Sequence, residues 1–545
     1  MESGISRLRP FLLSFLASAA LFVPNLSHAV GVTVITHGYD SDVNSWITAM
    51  ANRMPHYETF PGTNFTIYKI TLTTDTTQTN FFYQWSRTNG VAPNLTDSGE
   101  IIVKLDWSQM AGGSGTYDIS TYNVATIASY VLSQTNAISE LNGHALAEFP
   151  MHLIGHSRGG SLINEMSRQL GTNGLWVDQL TSLDPYPLNN DGNSDPFFPT
   201  DASASNTFVN VLFRDNYYQT LSTGIIPFNG KPASGAYNRH LTSLSGGYNN
   251  VSGTSAPYHS NVHLWYHGTV DWTTPTTDSS ASITSSERST WWAPYEESGT
   301  NTGFVYSLIG GADRTSAIQP LGPGFPAIRD GYNQFWDLGA GTTNNRTTLP
   351  ANNGGWPNPI KFNRTDTGQV LQGQSISVKL YYQWAKPSTS NAMFQVYLDS
   401  DFNPLNSNQN LLWQTNVPAS GASSVNVGTF SIPLSAANAS PGLHSLFGVL
   451  SGGCRSRYLY APELVQVVAI SNQQPPTLDI AQINSSQFQI GVNGVTGQTI
   501  VLLNSSNLLS WQPLATNTLA TSRWVYTNTP PSGANVKFYR ATVAN

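Results

Sequence analysis

A single cysteine, Cys454, stands in the whole chain of 545 residues. No intrachain disulfide can form, and neither a zinc knuckle nor a cysteine-bound cluster can be built. The reading of Cys454 itself is a small core or loop residue. Charge is scarce too: Asp, Glu, Lys and Arg make up 10% of the residues, against about 25% in an ordinary soluble protein. The 24 basic residues face 31 acidic ones, a net charge of -7, so no phosphate-neutralising face exists and a nucleic-acid binder working by bulk charge is excluded. Long apolar runs are confined to the N-terminus. Arg7 and Arg9 precede the stretch Phe11 to Val23, and Ser27-His28-Ala29 follows as a small-residue cleavage site. The pattern reads as a signal peptide over residues 1–29 rather than as a membrane span, which needs about 20 apolar residues. The expectation is a secreted, extracellular protein.

Apolar and aromatic residues, by contrast, are plentiful. Hydrophobic residues reach 39%, with 14 Trp, 24 Tyr and 23 Phe, enough to fill several cores and to argue against disorder. From residue 30 to about 300, short β-type runs alternate with helical stretches. The β candidates are Val32–Thr36, Phe65–Leu72, Ile101–Leu105, Met151–Ile154, Gln179–Leu183 and Phe208–Phe213. Residues Tyr117 to Leu141 place apolar side chains at helical spacing. Strands alternating with helices predict an α/β sheet with flanking helices. Beyond a connecting segment at 301–355 the texture becomes all-β. It predicts a sandwich-like accessory domain over 356–471 and a small β domain over 476–545.

The chemistry centres on Gly155-His156-Ser157-Arg158-Gly159, a G-x-S-x-G motif. An apolar strand leads in and a helix-forming stretch leads out, the strand–turn–helix setting that a nucleophile elbow requires. Small residues must flank such a strained turn, which accounts for Gly155 and Gly159. A serine hydroxyl needs a base to take its proton and an acid to orient that base. Asp184 ends the run Leu180-Thr181-Ser182-Leu183 ahead of Pro185, at the carboxyl end of the next strand. Asp215, after the following candidate strand, is the alternative acid. The base comes from His259, His263 or His267. His259 is preferred because Val262, Trp265 and Tyr266 behind it have helix-face spacing, with His263 as the alternative. A metal site on these histidines is disfavoured because no acidic residue lies among them. For the oxyanion, the Arg158 amide directly follows the nucleophile. The Tyr39 amide follows Val32–Thr36 and His37-Gly38, where glycine permits close backbone approach.

These motifs together resemble an α/β-hydrolase, most similar to the pancreatic-lipase family. The matching stretches are Val34-Ile35-Thr36-His37-Gly38-Tyr39, Val103-Lys104-Leu105-Asp106-Trp107, His152-Leu153-Ile154-Gly155-His156-Ser157 and Leu183-Asp184-Pro185. The resemblance covers about residues 32–270. It implies an oxyanion loop, a strand ending in Asp-Trp, the elbow, and a triad acid one strand early, which favours Asp184 over Asp215.

The expected function is therefore a serine carboxyl-ester hydrolase of lipase or esterase type, acting on an ester or lipid substrate and requiring no cofactor. Asp191–Asp195 and Asp399–Asn403 carry alternating oxygen ligands that would suit structural calcium, but ordinary polar turns are the preferred reading. Two alternatives stand beside this. One is an esterase on polymeric or glycan esters, with the β modules binding a polymer or cell surface. The other is a surface adhesion protein with an inert hydrolase domain. Residues 186–258, carrying Phe197-Phe198, Tyr217-Tyr218 and Ile225-Ile226-Pro227-Phe228, read equally as an apolar cap or as ordinary core.

Overall fold

In a computed structural model, the described residues are 31–55, 65–93, 100–189, 195–222, 228–243, 258–270, 277–278, 281–282, 346–349, 355–385, 391–400, 404–421, 425–461, 463–469, 475–529 and 537–544. The segment 1–29 read as a signal peptide, nearly all of segment 301–355 and most of both candidate calcium loops lie outside them. The expected fold class is corrected. The described residues are β-rich, with 44% in strands and only 17% in helices, and their strands fall into several separate sheets. Neither an α/β-hydrolase architecture with appended sandwiches nor the pancreatic-lipase resemblance describes them. The periodicity over 117–141 overstated the helix, which covers only Thr121–Ser133 before Gln134 turns extended. A strand over Phe81–Gly90 went unanticipated. Its aromatic and threonine content suits a pleated, half-buried surface.

Contacts divide the chain into two compact units. The first comprises 1–368, 375–433 and 443–466, and the second 369–374, 434–442 and 467–545. The first unit holds an eight-stranded sheet. Its strands are β1 (Val32–Thr36), β2 (Thr66–Thr74), β3 (Phe81–Gly90), β4 (Ile101–Asp106), β5 (Met151–His156), β6 (Val177–Leu183), β7 (Val211–Tyr218) and β8 (Tyr237–His240), in the order β3-β2-β4-β1-β5-β6-β7-β8. Only the β2–β3 pair is antiparallel. Side-chain alternation splits β1 between two cores. Val32 and Val34 join the apolar faces of α2 (Thr121–Ser133) and α3 (Arg158–Thr172). Ile35 joins those of α1 (Trp46–Arg53) and α4 (Tyr258–Val270). Burial on both faces explains why β1, β4, β5 and β6 are buried along their whole lengths. The register aligns their carboxyl ends: Thr36 faces Leu105 and Gly155, and His156 faces Leu183. Loops leaving those strands therefore emerge along one edge.

Residues up to 368, 375–433 and 443–466 belong to this same unit by their contacts. Strands Asn358–Arg364, Ser375–Gln383 and Asn426–Pro433 form one antiparallel sheet, and Asn391–Asp399 pairs with Asn410–Pro418 and Gly442–Gly452. The buried Arg457 guanidinium ties them to the larger sheet. It donates to the carbonyls of Ala147, Trp176 and Phe149 and pairs with Asp178 Oδ2 at 2.7 Å. Cys454 is exposed.

In the second unit, strands Thr477–Asn484, Gln487–Asn493 and Arg523–Asn528 form one sheet. Thr499–Ser505, Gln512–Thr518 and Phe538–Val543 form another. Ile490, Val492, Ile500, Leu502 and Leu519 make its core. Among the described residues no helix is long and apolar enough to cross a membrane.

Candidate active site

Ser157 stands between β5 and α3 with φ 55° and ψ -127°, a backbone region that side chains seldom occupy and that structures retain where they over-determine it. Its surroundings supply the over-determination. The Ser157 amide donates to the Leu183 carbonyl at 3.0 Å, and its own carbonyl accepts from Gly160 at 2.8 Å and Tyr186 at 3.0 Å. The flanking glycines are sterically required: a Cβ at Gly155 would lie 2.2 Å from the Gly159 carbonyl, and one at Gly159 would lie 2.5 Å from the His37 carbonyl.

Asp184 leaves the end of β6 one strand away and is fully buried. Its Oδ2 accepts from His259 Nδ1 at 2.6 Å and from Gln219 Nε2 at 2.8 Å; Oδ1 accepts the amides of Gly230 at 2.8 Å and Gln219 at 3.1 Å. Four donors in a buried pocket hold a carboxylate and leave it no room to rotate. His259 lies in the first turn of α4, ahead of Val262, Trp265 and Tyr266 on the same helix. With Nδ1 bound to Asp184, its Nε2 is buried and makes no hydrogen bond. No hydrogen bond joins Ser157 Oγ to that nitrogen. Pairs of this kind are often loose without substrate and tighten when it binds.

The two other histidines on α4 do not join the acid. His263 is buried, stacked on Trp46 with ring centroids 4.4 Å apart, and edge-on to His156 at 4.8 Å. His267 is buried two turns from His259. His156 reaches the His259 carbonyl through Nε2 at 2.9 Å, and its ring lies 4.6 Å from the His259 ring. Burial, together with the two neighbouring histidines, holds the His156 pKa well below its ordinary value, so it stays neutral and brings no positive charge to the site. Among the described residues, no group of three His, Cys, Asp or Glu is placed to hold a metal.

Asp215, the alternative acid, is inside β7 rather than after it, because that strand runs on to Tyr218. Its Oδ1 accepts from Thr181 Oγ1 at 2.5 Å, and Thr181 in turn meets His152 Nε2 at 2.7 Å. Burial raises the Asp215 pKa to about 6. It has no contact with His259, and the structure brings Asp184 there instead.

The His37-Gly38-Tyr39 loop leaves β1 directly beside the nucleophile: a Cβ on Gly38 would stand 2.7 Å from Ser157 Cβ and 3.1 Å from its Oγ. Trp107, after β4, clamps this loop. Its amide donates to His37 Nε2 at 3.2 Å, its indole donates to the His37 carbonyl at 3.1 Å, and the two rings stack. His37 Nδ1 then donates to the Gly38 carbonyl at 2.9 Å. Tyr39 is next along this loop after Gly38, and Arg158 follows Ser157 as the first residue of α3. The positive end of the helix dipole lies at the Arg158 amide.

Sequence reasoning missed what the Arg158 side chain does. The guanidinium is buried and paired with Asp201, Nε to Oδ2 at 2.6 Å and Nη2 to Oδ1 at 3.0 Å. It also donates to the carbonyls of Ala111 and Ile119 and meets Asp118 at 2.7 Å. Phe198 lies 4.6 Å from it and Trp107 5.3 Å. Asp201 is 43 residues away, and no local signal marks it as a partner. Phe198 continues into a row of rings through Tyr186 and Phe228 to His259, with centroid spacings of 6.1, 5.3 and 5.7 Å. The 186–258 segment thus contributes both readings: Tyr217 is core, Phe198 and Phe228 are near the site, and 225–227 lie outside the described residues.

No family model matches the chain, and no curated protein matches it. Among solved structures, a marsupial T cell receptor is similar over 37% of this chain and 64% of its own, with 11% identity and a TM-score of 0.14. A likeness that slight carries no argument about fold or activity.

Proposed function

We propose that the chain is a secreted carboxylic ester hydrolase with Ser157 as nucleophile, His259 as base and Asp184 as the orienting acid. The observation that carries this reading is the His259 pair: Nδ1 held by buried Asp184 at 2.6 Å while Nε2 is left unpartnered. That arrangement fixes the tautomer a general base needs. On binding an ester, Ser157 Oγ bonds to the carbonyl carbon as His259 Nε2 takes the hydroxyl proton. The Tyr39 and Arg158 amides receive the developing oxyanion. The tetrahedral intermediate collapses, the C–O bond to the alcohol breaks, and His259 returns the proton to the departing oxygen. Water then attacks the acyl-enzyme by the same route, giving the free acid and restoring Ser157. Export follows from the N-terminal sequence pattern, and no cofactor enters the scheme.

The reading is tested by hydrolysis of nitrophenyl esters of increasing chain length, comparing the mature protein with Ser157→Ala. Turnover lost in Ser157→Ala supports it. Absence of Ser157-dependent turnover on every ester, with no labelling by a fluorophosphonate, refutes it and favours an inert adhesion domain.

A further inference from the structure

The second compact unit carries a feature with no role in that chemistry. The connection Ser505–Ser510, between strands Thr499–Ser505 and Gln512–Thr518, carries two exposed leucines: Leu508 is 53% exposed and Leu509 87%. One exposed leucine is ordinary, but two adjacent at a single tip make a small projecting apolar surface, and such a surface rimmed by polar groups marks a contact site. The tip is also firmly built. Ser505 Oγ accepts the amides of Asn507 and Leu508, Asn507 Oδ1 accepts those of Leu509 and Ser510, and the Trp511 indole donates to the Leu508 carbonyl at 3.2 Å. Leu508 holds φ 63°, a left-handed conformation that glycine or asparagine adopts more readily. The loop keeps leucine at a position where a polar or glycine residue would cost less.

Charge around the tip has one sign. The unit contains four charged side chains, Asp479, Arg523, Lys537 and Arg540. Asp479 and Arg523 neutralise each other through two contacts of 2.7 Å. The two remaining cations flank the tip. Strand Phe538–Val543 pairs with Thr499–Ser505, so that Arg540 faces Leu503 and Phe538 faces Ser505. The Arg540 guanidinium lies 6.0 Å from the Trp511 ring, and Lys537 Nζ lies 3.4 Å from Asn504 Oδ1. Projecting leucines, an aromatic ring at their base and unpaired basic residues beside them are the components of an interfacial anchor on a negatively charged bilayer.

We infer that the Leu508–Leu509 tip docks this unit on an anionic lipid surface, the leucines entering the acyl boundary while Lys537 and Arg540 meet the headgroups. A neutral polymer would make no use of the two cations. The inference does not rest on the hydrolase reading.

The test uses the full mature chain carrying Ser157→Ala, so that no lipid is consumed, sedimented with phosphatidylcholine vesicles with and without phosphatidylglycerol. Binding to the anionic vesicles, weakened by salt, is expected. Leu509→Ser should lower the partition coefficient on the order of tenfold. Lys537→Gln and Arg540→Gln should each lower it about fivefold at low salt. Because Leu509 and Arg540 are exposed and Lys537 is half-buried with one weak hydrogen bond, the melting temperature should move little. No binding to anionic vesicles, equal binding by Leu509→Ser, or equal binding to neutral and anionic vesicles would overturn the inference. So would self-association that Leu509→Ser abolishes in a protein that ignores vesicles.

Discussion

Replacing Asp184 by Asn separates its orienting role from simple packing, because the two side chains have the same shape. Asp184 accepts four hydrogen bonds, two on each oxygen: His259 Nδ1 and Gln219 Nε2 on Oδ2, Gly230 N and Gln219 N on Oδ1. Whichever way the Asn amide is turned, its NH2 group meets two N–H donors. His259 offers the low-energy escape. By moving its proton from Nδ1 to Nε2, it can accept from the Asn NH2 group, but the nitrogen that should take the serine proton is then already protonated. The loss expected of such a wrong tautomer is about 10⁴ in kcat, or roughly 5 kcal/mol of transition-state stabilisation. KM should change little, since Asp184 is fully buried beneath the histidine. Folding should weaken by about 1–3 kcal/mol for the Gln219 donors left mispaired. The assay is kcat and KM on a short nitrophenyl ester, with fluorophosphonate labelling as a second readout and urea unfolding as the control. A folded Asp184→Asn protein that keeps kcat within about tenfold of wild type would refute the reasoning, since no base with a misdirected tautomer achieves that.

Asp215→Asn should leave kcat nearly unchanged and alter the pH dependence of stability instead. With its folded pKa raised by burial to about 6, Asp215 contributes stability that is fully present below its unfolded value and lost as pH rises through the folded one. Melting scans should show Asp215→Asn gaining on wild type between about pH 4 and pH 7; parallel curves would contradict this. Gly38→Ala, whose Cβ would fall 2.7 Å from Ser157 Cβ, should reduce kcat by about 10² or more with the fold retained, as ester kinetics beside circular dichroism would show. Asp201→Ala removes the buried, bidentate partner of the Arg158 guanidinium and leaves it the more exposed Asp118 and two carbonyls; this should cost about 2–4 kcal/mol in urea unfolding, whereas the paired change Arg158→Leu with Asp201→Leu should cost less. A double-mutant cycle giving no coupling would contradict that assignment.

Local patterns in the sequence carried some parts of this structure and missed others. The runs Val32–Thr36 and Met151–Ile154 lie in β1 and β5 because parallel strands buried on both faces are continuous apolar runs. Ser157 was legible because a glycine-flanked turn after such a strand is a local pattern. The meeting of Asp184 with His259, 75 residues apart, could be inferred only from where strand ends fall. Alternation of apolar runs with helical spacing predicts an α/β sheet, but local alternation does not reveal how many separate sheets the β-forming Thr, Val and Tyr content of the rest builds. The Arg158–Asp201 and Arg457–Asp178 pairs had no signal at all: a buried ion pair joins distant segments, and nothing in either segment names the other. Nor does spacing show that His263 stacks on Trp46 while His259 turns to the acid. Four residues separate them on one helix, and tertiary packing alone decides which meets a carboxylate.

The central claim is that Ser157 is a nucleophile activated by His259. Mass spectrometry of the mature protein after exposure to a fluorophosphonate tests it most directly. One covalent adduct on Ser157, absent in Ser157→Ala and slowed at least about a hundredfold in His259→Ala, is the predicted result. Labelling at another residue, or labelling of Ser157 that does not depend on His259, would contradict the account.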